Sequence, residues 1–237
     1  MSRAGGQVAG RVAGRAAGRV TGRAGASERL LRALASFGLL VGEATGAPSP
    51  GFDGSVVGRV LGLGPGAVVL CTGPSGCGKS TLLRAVSDGA RARGTPVIDA
   101  SALLRAAAPG RPVIDLVPLP VERAMRVLAG AGLGEATLWA RLPSELSEGQ
   151  RARLGLALAM AGVGVGVGVG GSRPSLVVLD EFCSTLDRVT ARCVAHTLRR
   201  WAGASPCVVV CATAHEDLLA DLAPDLHLRP LAPEGTP

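Results

Sequence analysis

"LCTGPSGCGKSTLLR", residues 70–84, contains Lys79, the one lysine in a chain whose other basic side chains, among 25, are all arginine. Positions that accept either base have gone to arginine in this composition, so a retained lysine marks a place where a guanidinium does not substitute. Gly73, Pro74, Ser75, Gly76, Cys77, Gly78, Lys79 and Ser80 fit the spacing G-x-x-x-x-G-K-[ST], behind the apolar run "AVVLCT" (67–72) and ahead of a helical pattern over 79–88. In that context glycines let the backbone curl until successive N–H groups and a helix N-terminus face phosphate oxygens. Lys79 would then reach the outer phosphates of a nucleotide, with Ser80 offering its hydroxyl to Mg²⁺ and Thr81 beside it. A glycine turn that merely capped a helix would make no use of the lysine.

Outside this loop, apolar runs bounded by turn residues alternate with helical patterns. Strands are expected over 55–61, 67–72, 96–99, 112–117, 175–180, 206–213 and 225–231, and helices over 79–88, 119–132, 148–161 and 188–202. Continuous Val/Leu/Ile runs between helices describe strands buried on both faces, so the expected class is α/β with a mainly parallel central sheet. Residues 1–26 repeat arginine every fourth position with a glycine in each repeat, a composition expected to be disordered. Ser27 is placed to cap a short helix, "ERLLRALASFGLL", and a Gly/Pro-rich connection follows.

The chain has 237 residues and a formal charge of +7, most of which sits in five arginines within residues 1–27. The remainder is close to neutral, which gives no electrostatic case for a nucleic-acid surface. Six cysteines form no C-x-x-C pair, and they are expected as small buried hydrophobes in a reducing, cytoplasmic setting. Residues 154–171 are uncharged over about the length of a bilayer span, but their glycine content weakens a membrane helix. They are expected as a helix end running into a low-complexity Gly/Val loop at 162–173, with no transmembrane segment.

Two further segments carry chemistry. "SLVVLDEF" ends an apolar strand in Asp180 and Glu181, one carboxylate suited to the Mg²⁺ shell and the other to polarising water. In "LPSELSEGQRARLGLALAMA", Ser147-Glu148-Gly149-Gln150 is an S-x-x-Q capping box ahead of a helix. Here the chain resembles the ABC-type ATPases, a group of P-loop NTPases whose signature L-S-G-G-Q stands as Leu146-Ser147-Glu148-Gly149-Gln150. "STLD" (184–187) resembles their D-loop, and His215 after "VVVCATA" their switch histidine.

The resemblance implies ATP and Mg²⁺ as ligands and a head-to-tail homodimer, in which ATP on Lys79 and Ser80 of one subunit is covered by Ser147, Gly149 and Gln150 of the other. It makes Ser80 and Asp180 the Mg²⁺ ligands, Glu181 the general base, His215 the γ-phosphate sensor and Asp187 a nucleotide-site residue, with Lys79 sharing in catalysis. A small helical subdomain, about 118–162, would carry the signature within an ATPase domain spanning 27–237. The Q-loop glutamine is missing, since Gln7 and Gln150 are the only glutamines; Asp115 is a candidate substitute and Phe52 or Phe37 a candidate adenine-stacking ring. A narrower resemblance, over most of 27–230, is to prokaryotic soluble ABC-type ATPases often fused to a predicted GNAT acetyltransferase domain. The missing glutamine and the small helical subdomain argue against a transporter subunit, so an unknown, non-transport protein partner is expected; the alternatives are the nucleotide-binding subunit of a transporter and a DNA-associated ATPase.

Overall fold

A computed structural model describes residues 19–21, 28–36, 40–42, 54–165 and 174–230. The chain divides into two compact units, residues 1–49 and 50–237. In the first, strand β1 (Arg19–Thr21) pairs in parallel with β2 (Leu40–Gly42), and helix α1 (Glu28–Ser36) lies between them in sequence. The tail expected to be disordered to residue 26 therefore contains a strand, and the unit that holds the phosphate loop begins at residue 50 rather than 27. Phe52, Phe37 and Ser27 lie outside the described residues.

The second unit is built on five parallel strands in the order β4-β5-β6-β3-β7: β3 (Val68–Thr72), β4 (Val97–Asp99), β5 (Ser175–Leu179), β6 (Cys207–Thr213) and β7 (Leu226–Leu228). Every residue of β3, β5 and β6 is buried, as their unbroken apolar composition requires. Alternation sorts these side chains to two cores. Val69, Cys71, Leu176, Val178, Val208 and Val210 pack with Leu82, Leu83 and Val86 of α3 (Lys79–Ala92) and with Val60 of α2 (Gly54–Leu61). Val68, Leu70, Val177, Leu179, Val209 and Cys211 face α5 (Val121–Gly130), α7 (Glu148–Val165) and α8 (Arg188–Gly203). Truncating a fully buried leucine such as Leu82 or Leu154 would cost about 2–5 kcal/mol.

Two expected strands are not strands. Residues 54–61 are helix α2, because Val57 and Leu61, one turn apart, close on Gly89 of α3; a Cβ there would lie 2.9 Å from Leu61 and 3.1 Å from Val57. Val113–Leu116 is a 3₁₀ turn, not a strand; prolines flank it, and Val113 N–H is spent on Arg141 O instead of a sheet partner. The sequence reading also passed over α4 (Ala100–Ala106) and α6 (Ala136–Trp139). Helix α7 continues to Val165, past the loop start expected at 162, since Gly162 sits against Ile98 with a prospective Cβ 3.5 Å from it. The segment around 118–162 is helical but shares one core with the sheet and α8 rather than owning a separate one.

Helix α8 is fastened along one side. Arg188, Arg192 and Arg199 pair with Asp217, Asp221 and Asp225, carboxylates that recur every four residues around α9 (Leu219–Leu222). Asp225 also accepts the N–H of Val68 at 2.8 Å, tying β7 to the start of β3.

Candidate functional site

Strand β3 delivers the chain into the loop 73–78, and α3 starts at Lys79. Gly78, the residue before the helix, has φ 95°, where a side chain would collide with its own backbone. At Gly73 a Cβ would lie 2.8 Å from the sulfur of the buried Cys77, so glycine is required there by a close approach. Lys79 Nζ is folded back onto the loop, donating to Gly73 O at 2.6 Å and Pro74 O at 2.7 Å. An ammonium with three rotatable donors can hold two carbonyls in so tight a turn; a planar guanidinium has a different shape and fixed donor directions.

The sheet order places β6 between β3 and β5. The C-terminal ends of these three neighbours therefore present the phosphate loop, His215 and the Asp180–Glu181 pair side by side. Ser80 and Asp180 line one cavity of about 260 Å³. A hydroxyl and a carboxylate are hard oxygen donors, the set that suits Mg²⁺.

After β5 the backbone makes a strained turn. Glu181 has φ 51° and Cys183 φ 59°, both in the left-handed region that non-glycine residues avoid. Asp180 Oδ1 accepts the Glu181 N–H at 3.0 Å, Glu181 O accepts from Ser184 Oγ at 2.8 Å, and Phe182 N–H reaches Ala212 O at 2.7 Å. Phe182 and Cys183 are buried while the Glu181 side chain stands exposed. Surrounding bonds thus impose the conformation, a pattern that clusters at functional sites. The His215 N–H donates to Thr213 Oγ1 at 3.2 Å.

The S-x-x-Q segment is the expected capping box. Ser147 Oγ accepts from Gln150 N at 3.2 Å, and Gln150 Oε1 accepts from Ser147 N at 2.9 Å. Gly149 is pressed against the segment 184–187: a Cβ would lie 3.2 Å from both Leu186 and Thr185 O. Asp187 caps α8 by accepting the Thr190 N–H at 2.9 Å, and that bond holds its carboxyl below the usual carboxylate range. Ser147, Gly149, Gln150 and Asp187 are not among the residues that line the Ser80–Asp180 cavity; Glu148 and Arg151 instead border a neighbouring one of about 290 Å³ together with Asp180 and Glu181.

Asp115 is not at the site. It lies in the 3₁₀ turn and lines a separate groove with Arg111 and residues 117–121. The Ser80–Asp180 cavity is also lined by, among others, Asp99, the last residue of β4, by Ser101 in the first turn of α4, and by Arg84, Arg91 and Arg105. Sequence reasoning missed Asp99 and Ser101 because 96–99 reads as a strand and no helix is expected after it; Asp99 caps α4, its Oδ1 accepting from Ser101 N at 2.9 Å and Ala102 N at 3.1 Å. Cysteine burial is as expected at five of six positions, Cys193 being exposed. Burial pushes the Cys71, Cys183 and Cys207 thiols up to about 12, which leaves them inert as nucleophiles. Among the described residues, no helix is long and apolar enough to cross a membrane.

No family model matches the chain. It is 38% identical over 144 residues to the aliphatic sulfonates import ATP-binding protein SsuB 1 of Burkholderia cenocepacia, covering 55% of this chain and 42% of that one. To SsuB 2 of Agrobacterium fabrum it is 36% identical over 161 residues, covering 59% and 57%. The chain thus spans about half the length of the curated relatives it matches. Among solved structures, the dimeric post-hydrolysis state of the ATP-binding cassette MJ0796 bound to ADP and Pi superposes with a TM-score of 0.50 at 20% identity, over 66% of this chain and 78% of that one. A second dimeric structure of MJ0796, described as a bacterial ABC transporter cassette, gives 0.51 at 18% identity over 71% and 84%.

Proposed function

We propose that this chain, which has the α/β fold of an ATP-binding cassette, binds MgATP, hydrolyses it to ADP and phosphate, and is the ATP-binding subunit of a transporter whose membrane-spanning part is another chain. The observation that carries the ATPase reading is the convergence of Lys79–Ser80, Asp180–Glu181 and His215 on the ends of three adjacent strands. The transporter reading rests on relatives named as import ATP-binding proteins, and it replaces the non-transport partner expected from the missing glutamine and the small helical subdomain.

Lys79 Nζ exchanges the Gly73 and Pro74 carbonyls for phosphate oxygens, and the loop N–H groups complete the cradle. Ser80 and Asp180 would hold Mg²⁺, which would supply neutralisation of phosphate charge. Glu181 takes a proton from the water that attacks the γ-phosphorus as the bond to the ADP oxygen breaks. His215 orients the γ-phosphate. Ser147 and Gly149, outside their own subunit's Ser80–Asp180 cavity, complete the site across a head-to-tail dimer, and the dimeric state of MJ0796 supports that arrangement. On this reading the chain works at the cytoplasmic face of a membrane.

The test is Glu181→Gln purified from membranes and from the soluble fraction in ATP. An ATP-dependent dimer co-purifying with a membrane-spanning protein is expected. A monomer under these conditions sinks the shared site. A soluble partner in place of a membrane one returns the reading to a non-transport ATPase, which the lack of a glutamine near the site among the described residues favours, Gln150 being tied up in its cap.

A further inference from the structure

On α8, the arginines facing the C-terminal segment are each matched by a carboxylate, as described above. Arg200 is not. It meets Arg123 and Arg126 of α5 around a groove of about 380 Å³ whose remaining lining is Val127, Gly130, Met160, Thr197 and Trp201. No acidic residue lines this groove, and the three guanidiniums make no hydrogen bond or ion pair among the described residues. The near-neutral module therefore gathers three unmatched positive charges over an apolar floor, while its other arginines on the same helix are neutralised internally.

From this arrangement we infer that the α5–α8 groove is a docking site for an acidic peptide segment of a partner protein, one apolar side chain seated between Met160 and Trp201 and carboxylates on the arginines. Guanidinium forks bind carboxylates in two-pronged, charge-assisted fashion. The floor selects a peptide over a polyanion. It is aliphatic and thioether in character with a single aromatic, which offers little on which successive bases could stack. Gly130 keeps the groove open: it is the last residue of α5, and a Cβ there would make only ordinary contacts, 3.6 Å from Thr197 and 3.8 Å from Met160. A larger side chain at 130 would fill the groove without straining the backbone.

The full chain is tested by fluorescence anisotropy with a labelled peptide, Asp-Glu-Leu-Leu-Glu-Asp-Ile-Leu, its Asn/Gln counterpart and an oligothymidylate. Saturable binding of the acidic peptide alone is expected, weakening roughly tenfold, about 1.4 kcal/mol, for each of Arg123→Gln, Arg126→Gln and Arg200→Gln. Gly130→Leu is expected to block it, with thermal stability and ATP turnover unchanged in all four variants. No saturable binding of the acidic peptide overturns the inference, as does binding that the variants leave intact. Tighter binding of the oligothymidylate that the same variants abolish reassigns the groove to nucleic acid. None of these residues belongs to the nucleotide site, so failure here and failure of the ATPase reading are separate results.

Discussion

Replacing Glu181 by glycine should separate activity from stability with opposite signs. Glu181 sits at φ 51°, and its exposed side chain makes no hydrogen bond; the bonds that set the turn are made by its backbone. A left-handed non-glycine residue costs roughly 1–2 kcal/mol. Glycine removes that cost but loses about 0.5–1 kcal/mol more chain entropy on folding. The net gain is about 0–1.5 kcal/mol, centred near ~0.75, which for a domain of this size raises Tm by about 2 °C. Turnover should fall about 10²–10⁴-fold with the general base gone. The assay is thermal unfolding by circular dichroism without nucleotide, with phosphate release measured on the same preparations. Glu181→Gln serves as comparator, equally inactive but with Tm unmoved, because it keeps the Cβ and the strain. A lower Tm for Glu181→Gly would show that the turn is not strained as described. Retained turnover would remove Glu181 from its assigned role.

Lys79→Arg should lose most nucleotide affinity in a fluorescent-ATP titration despite conserving charge, since the ammonium is held between two carbonyls 2.6 and 2.7 Å away. Ser147→Ala should destabilise the chain by about 1 kcal/mol through the lost cap, read by denaturant midpoint. It should also weaken ATP-dependent dimerisation on gel filtration, whereas Ser147→Asp should restore the cap but not the dimer. His227, bonded to Thr72 Oγ1 at 2.7 Å, has its pKa lowered by burial and then by the nearby Arg229 charge. The unfolded chain therefore binds the proton more readily, so this contribution is present above about pH 6.5 and is lost as pH falls through the folded pKa. Tm should fall less steeply just below about pH 6.5 in His227→Gln than in the wild type, and equal slopes there would refute the His227 contribution.

The central sheet was legible because β3, β5 and β6 are buried on both faces and so carry unbroken Val/Leu/Ile runs. Residues 55–61 and 112–117 misled for the same reason: short apolar runs have no period, and only the partner decides. For 54–61 that partner is Gly89, which admits Val57 and Leu61 of a helix. Lys79, Ser80, Asp180 and Glu181 stand out as candidates because each follows a recognisable strand, whereas His215 is a candidate only through the family resemblance. Asp99 and Ser101 did not stand out, although a strand over 96–99 is expected, because the helix that Asp99 caps is not announced by the apolar pattern. Asp115, the candidate substitute for the missing glutamine, lies in a 3₁₀ turn rather than a strand.

The strand that carries the phosphate loop has no neighbour close to it in sequence. β3 is flanked by β6 and β7, so Val68 pairs with Val209 and Val69 with Leu226. During synthesis Lys79 leaves the ribosome long before either flank exists, and the loop can be built only once the last third of the chain arrives. A chain broken off before residue 207 would present β3 with both edges bare, a hydrophobic template for pairing with the wrong partner. On the proposed function, ATP binding at Lys79 would depend on residues through 228, since β7 supplies one of the two strands that flank β3.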